Sequence, residues 1–229
     1  MLRAVIFDLD NTLTDFMRMK RVSIKTAVEA MIDAGLQMPP DEATRKLFEI
    51  YDREGIEDQR VFDRFLEQEF GEIDPMLHTA AIMGYRRGRE YTLVLYPHVK
   101  KTLLELAKRG LKLAVLSDAP RYQAWSRLCY LQLPHFFDHV ITFEDTQVRK
   151  PDPAPFHRAI ELLDMAPEEV IMVGDWPARD MVGAHGVGIR TVYARYGDTS
   201  GATHSGADYE IDDISELVGI VDELRGPGQ

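Results

Sequence analysis

Asp8 and Asp10 close the run AVIFDLD, Ser117 closes LKLAVLS, Lys150 stands in the turn RKPDP, and Asp175 and Asp180 lie in VIMVGDWPARD. Taken singly, most of these have an ordinary reading. Asp8 and Asp10 fit an Asx-type turn after a strand. Ser117 fits a helix cap, Asp180 fits a first helical turn, where the dipole favours an acid, and Lys150 fits a solvated loop. None of these readings accounts for Asp175. If the apolar runs are strands of one parallel sheet, their carboxyl ends converge on a single crevice. Four carboxylates, a hydroxyl and an ammonium then meet. Two like charges ~4 Å apart repel by ~4 kcal/mol at an effective dielectric near 20, so such a cluster needs a cation or bound protons. Hard oxygen donors with no His or Cys among them select Mg²⁺. A carboxylate nucleophile beside Mg²⁺, with Ser and Lys to hold anionic oxygens, is an arrangement for phosphoryl transfer.

The elements that must position these groups are legible in the same runs. AVIF (4–7), LKLAVLS (111–117), HVITF (139–143), EVIMVG (169–174) and IRTVYA (189–194) predict short strands rich in β-branched residues, and DYEI (208–211) an edge strand. Side chains at i and i+2 of a strand share a face, so Asp8 and Asp10 are expected to point the same way, with Leu9 inward. Helical periodicity covers 98–110, 121–133, 153–165 and 213–224. Strands alternating with helices predict an α/β fold: a Rossmann-like three-layer α/β/α core around a mainly parallel sheet. Residues 16–94 differ. Their amphipathic stretches, broken at Gly35–Pro40, Gly55 and Gly71, predict about four helices inserted after the first strand. The expected organisation is therefore an α/β core of 1–15 and 95–229 and a small all-helical cap of 16–94, able to lie over a strand-end site as a lid.

Composition narrows the partners. Lys+Arg 27 against Asp+Glu 38 gives a net charge of −11, which argues against a general affinity for nucleic acid or anionic membrane. A small anionic substrate stays open, because local cations override the global field. No apolar run approaches the ~18 residues of a membrane span, and no leader-like segment opens the chain. The single cysteine, Cys129 in RLCYLQL, reads as a buried small side chain and fits a reducing, cytoplasmic setting. RGPGQ at the end reads as a loose tail.

Motif by motif, the chain resembles the haloacid dehalogenase-like hydrolase superfamily, in its phosphatase branch with a helical cap after the first strand. DLDNTLTD matches the first motif, Ser117 the second, Lys150 in RKPDP the third and GDWPARD the fourth, in order over residues 8–180. The resemblance implies that Asp8 attacks phosphorus and also binds Mg²⁺. It implies that Asp10 protonates the leaving group, then activates water, and ligates the metal through its backbone carbonyl. Asp175 would bind Mg²⁺ and Asp180 steady it or its waters, while Ser117 and Lys150 hold phosphoryl oxygens. Asn11 and Thr12 would shape the loop. An acid at position 10 favours phosphate esters over the dehalogenase branch, which carries an aromatic residue there, and over phosphonate cleavage. The expected activity is Mg²⁺-dependent hydrolysis of small phosphorylated metabolites through an aspartyl-phosphate. A phosphomutase shares these motifs; a phosphate-switched signalling module and an idle scaffold fit them less well. Arg18 after the first motif and Arg121 after the second are candidate contacts to a second anionic group, the plain alternative being surface charge.

Overall fold

A computed structural model describes residues 1–226. The apolar runs form β1 (Ala4–Phe7), β2 (Lys112–Leu116), β3 (His139–Ile141), β4 (Val170–Gly174), β5 (Arg190–Ala194) and β6 (Tyr209–Ile211). Among the described residues they make one six-stranded sheet in the order β3-β2-β1-β4-β5-β6, with every pair parallel. This is a Rossmann-like α/β fold. β1 is central, and strand order reverses on its two sides, which opens a crevice at the carboxyl ends. The chain divides into two compact units: Met1–Asp15 with Val94 onward, and Phe16–Leu93.

The Phe16–Leu93 unit holds α1 (Phe16–Asp33), α2 (Pro40–Glu54), α3 (Val61–Phe70) and α4 (Pro75–Thr92). Asp74 caps α4 by accepting from the backbone N–H of Met76 at 2.8 Å and Leu77 at 2.9 Å, and Pro75 sits at the first helical position. The apolar stripes of all four helices meet in one core, with Ile24, Val28, Leu47, Ile50, Phe65 and Ala81 among its members. A cation is also buried there. Lys20 on α1 places Nζ 4.3 Å from the Tyr51 ring centre and donates to the Tyr85 hydroxyl at 3.1 Å. The negative ring face offsets part of the desolvation of that ammonium.

In the other unit, α5 (Val99–Lys108), α6 (Arg121–Tyr130), α7 (Phe143–Thr146), α8 (Pro153–Leu163), α9 (Val182–Gly186) and α10 (Leu217–Arg225) connect the strands. Side chains alternate across the sheet. Ala4, Ile6, Ala114, Leu116, Val170 and Met172 face a cluster with Phe156, Ala159 and Leu163 of α8 and Ala184 of α9. α5 packs on β2 and on α10.

Three local expectations change. The run 139–143 stops as a strand at Ile141, because Asp145 Oδ2 accepts from the Thr142 N–H and hydroxyl, both at 2.8 Å, and the Asp145 N–H donates to the Thr142 carbonyl at the start of α7. Cys129 is exposed, not buried: the buried positions of α6 are Ala124, Arg127 and Leu128, and position 129 falls off that stripe. Arg225 is the last residue of α10 and donates to the Arg109 carbonyl at 2.6 Å; of the expected tail, 227–229 lie outside the described residues. No helix among the described residues is long and apolar enough to cross a membrane.

Phe156 is fully buried between α8 and the sheet. Phe156→Ala is expected to lower unfolding free energy by about 3–5 kcal/mol, read from urea denaturation midpoints. A loss below ~1 kcal/mol would contradict this account of the core.

Candidate active site

Register brings the strand ends level. Phe7 pairs with Val115 on one side and Val173 on the other, so Asp8, Ser117 and Asp175 all emerge at one edge of the sheet. The Asp8 N–H extends the ladder by donating to the Val173 carbonyl at 2.8 Å. Asp8, Asp175 and Asp180 each offer one carboxylate oxygen within 4.8 Å of the others, and all three are buried. Lys150 threads into the same place. Its Nζ donates to Asp8 Oδ1 at 2.6 Å, to Asp180 Oδ1 at 2.6 Å and to the Leu116 carbonyl at 3.2 Å. This is not the solvated lysine of an ordinary loop: only 5% of it is exposed.

The electrostatics follow from that packing. Three carboxylates face one ammonium in a desolvated space. Burial pushes Asp8 up to about 7; Lys150 opposes the rise, and the charges of Asp180 and Asp10 add to it. Burial, with Asp8 and Asp180 beside it, also holds Asp175 well above the usual carboxylate range. Burial alone would lower Lys150, but the carboxylates of Asp180, Asp8 and Asp118 outweigh it and hold the ammonium firmly protonated. A buried, oxygen-only donor set with surplus negative charge fits a hard divalent cation, and Asp8, Asp175 and Asp180 are the residues that could hold one.

The supporting contacts separate the three acids. Asp175 Oδ1 accepts from the Thr12 hydroxyl at 3.1 Å. Asp180, in the π-type turn Pro177–Met181, accepts from Lys150 on Oδ1 and from the Trp176 N–H on Oδ2 at 3.0 Å. Ser117 is buried, and its Oγ accepts from the Ala119 N–H at 3.2 Å. The Lys150 N–H donates to Asp118 Oδ1 at 2.9 Å, tying the turn around Lys150 to the end of β2.

Asp10 lies two residues after Asp8, and its charge adds to the rise of Asp8. β1 ends at Phe7, and beyond it Asp10 bridges to Thr14. The chain then folds into a turn: Asn11 adopts φ 59°, its N–H donates to the Thr14 carbonyl at 2.7 Å, and the Leu13 N–H donates to the Leu9 carbonyl at 3.0 Å. Asn tolerates this left-handed geometry better than most residues. Asp10 Oδ2 accepts from Arg127 Nη1 at 2.8 Å.

Four contributors escaped the residue-type argument. Arg127 carried a signal: it sits three residues after Ala124 and next to Leu128, on the buried stripe of α6, where an unexplained charge is costly. Gly174 at the end of β4 leaves room for Asp180, since a Cβ there would stand 2.4 Å from the Asp180 carboxyl carbon. Gly197 follows β5, and a Cβ on it would lie 1.7 Å from the Asn11 carbonyl oxygen; nothing in its sequence neighbourhood marks it. Tyr196 braces the same turn, its hydroxyl donating to the Thr12 carbonyl at 2.8 Å. The candidate substrate arginines are both exposed. Arg121 is exposed at the start of α6 and donates to Asp145 Oδ1 at 2.9 Å. Arg18 is exposed on α1 in the Phe16–Leu93 unit.

A family model described as haloacid dehalogenase-like hydrolase matches residues 5–194, a span that includes Asp8, Asp10, Ser117, Lys150, Asp175 and Asp180. The chain belongs to that family. It is 34% identical over 228 residues to a glyceraldehyde 3-phosphate phosphatase of Methanocaldococcus jannaschii, covering 98% of this chain and 99% of the relative. It is 32% identical to a glyceraldehyde 3-phosphate phosphatase of Pyrococcus furiosus, covering 98% and 95%. The crystal structure of a HAD phosphatase from Thermococcus onnurineus superposes with a TM-score of 0.72 at 28% identity, over 96% of this chain and 98% of that one. This haloacid dehalogenase-like hydrolase is a phosphatase, acting on phosphate monoesters.

Gly197→Ala tests the packing behind the turn. The methyl group must displace the Asn11 carbonyl, and with it the loop carrying Asp10. The variant is expected to lose about 1–3 kcal/mol of stability and about 10²-fold in kcat. Urea denaturation and turnover of an aryl phosphate would show it; wild-type values in both would refute the claimed contact.

Proposed function

We propose that this phosphatase works through an aspartyl-phosphate on Asp8, assisted by Mg²⁺. The observation that carries the reading is the convergence of Asp8, Asp175 and Asp180 within 4.8 Å of one another, with Lys150 bonded to Asp8. Asp8 attacks phosphorus as the bond to the leaving oxygen breaks, and Asp10 gives that oxygen a proton. Asp10 then takes a proton from water as the water attacks the phosphoryl group, which returns Asp8 as a carboxylate and releases inorganic phosphate. Ser117 and Lys150 hold phosphoryl oxygens, and Lys150 also fixes the Asp8 carboxylate for attack. Asp8, Asp175 and the backbone carbonyl of Asp10 would hold Mg²⁺, which when bound supplies positive charge against the phosphoryl oxygens. Asp180 would steady the ion or its waters, a supporting role that suits a carboxylate whose two oxygens already accept from Lys150 and Trp176.

The substrate is proposed to be a small phosphorylated metabolite, with a triose phosphate as the first compound to assay. What supports that choice is near full-length similarity to two glyceraldehyde 3-phosphate phosphatases. Their names also favour release of phosphate over its return to a second sugar hydroxyl. The proposed division of labour is a hydrolase core of 1–15 and 95–229, with 16–94 as a helical cap that sets selectivity, Arg18 and Arg121 being candidate contacts to a second anionic group. The −11 charge favours a metabolite over nucleic acid or membrane as partner, and we place the enzyme in the cytoplasm.

Release of phosphate from glyceraldehyde 3-phosphate and an aryl phosphate is expected to require Mg²⁺ and to stop with EDTA. Asp8→Asn is expected to abolish turnover and Asp10→Asn to lower kcat by about 10²–10⁴. Undiminished hydrolysis by Asp8→Asn would rule the mechanism out, and an isomerised sugar phosphate without free phosphate would point to a mutase.

A further inference from the structure

Arg127 is a buried arginine on a helix of the α/β unit. It lies on the inner stripe of α6 between Ala124 and Leu128, both fully buried, and is itself only 5% exposed. Placing a guanidinium there is unfavourable unless a charge partner compensates for the lost hydration. One such partner is Asp10, 117 positions away in sequence, whose Oδ2 accepts from Nη1 at 2.8 Å. Asp10 lies beyond the end of β1, in an isolated bridge with Thr14, so the sheet ladder does not fix the direction of its side chain.

We propose that Arg127 is a positioning residue for the acid–base step, holding the Asp10 carboxyl by Oδ2 so that Oδ1 is the oxygen that exchanges a proton with the substrate. This rests on the reading of Asp10 as the proton donor and acceptor. In this reading the guanidinium acts on the reaction through Asp10, and not by its own contact with phosphorus or the leaving oxygen. α6 thereby gains a function: the helix that begins just after Ser117 also orients the side chain that protonates the leaving group. Because proton transfer depends on distance and angle, release of this grip lowers the rate of the chemical steps and leaves substrate binding largely intact.

A double-mutant cycle tests it, with kcat and KM measured on an alkyl phosphate for wild type, Arg127→Met, Asp10→Asn and the pair. Arg127→Met is expected to lower kcat by about 10–100-fold, with KM within about two-fold. In the Asp10→Asn background the same substitution is expected to change kcat by no more than about two-fold, because the side chain it positions has lost its proton-transfer chemistry. An equal loss in both backgrounds, or no loss in the wild-type background, would overturn the proposal while leaving the role of Asp10 intact. Full turnover by Asp10→Asn alone would overturn both. Should Arg127→Met fail to fold, Arg127→Lys serves in its place: it keeps the charge but shifts the donor, and a several-fold fall in kcat confined to the background with Asp10 intact is the expected result. The same fall with Asp10→Asn present would again count against the inference.

Discussion

Surplus buried negative charge is the constraint around which this enzyme is arranged. Asp8, Asp175 and Asp180 share a buried space, and Lys150 neutralises only part of their charge. Left alone, such a cluster takes up protons, which is why burial drives Asp8 to about 7 and Asp175 well above its ordinary range. A site in that condition has a standing preference for cations and for oxygen ligands that bring cations with them. The same physics places a lysine at its centre: desolvation would strip the proton from Lys150, yet two carboxylates at 2.6 Å keep it charged. Replacing any one of these groups alters the protonation of the others, so the cluster behaves as a unit.

The parallel sheet creates this congestion because of where it ends. β1 lies between β2 and β4 with Phe7 level with Val115 and Val173, so the next residues of three strands must share one edge. Two glycines then allow distances that any side chain would forbid. Gly174 lets Asp180 fold back against β4, and Gly197 lets the segment after β5 lie directly on the turn that holds Asn11. Asp10 owes its place to that turn, and α6 reaches across to it with Arg127. Both chemical roles of the proposed mechanism, nucleophile and proton carrier, thus arise two residues apart but are held by different parts of the fold: Asp8 by the sheet and Lys150, Asp10 by a turn and a helix.

Much of the architecture was legible in residue order. The β-branched runs marked five of the six strands among the described residues to within a few positions, and apolar stripes marked the longer helices of both units, because these are local patterns of period 2 and 3.6. The errors were local as well. At 142–145 the bonds from Thr142 to the Asp145 carboxylate overrode a β-branched run, and on α6 the buried stripe takes in Arg127 and leaves Cys129 exposed.

Residue types and their order determined the family and the chemical inventory: acids at two strand ends, a serine at a third, and a lysine in a proline-bounded turn. Those properties reside in short segments, and composition with spacing is enough to read them. Tertiary structure alone decided that Lys150 is buried and bonded to Asp8, that Arg127 grips Asp10, and that Tyr196 closes on Thr12. These contacts join positions 142, 117 and 184 residues apart. Such pairings leave no periodic trace in a sequence, because what brings them together is the packing of a whole sheet and its helices and not the conformational preference of any one stretch of chain.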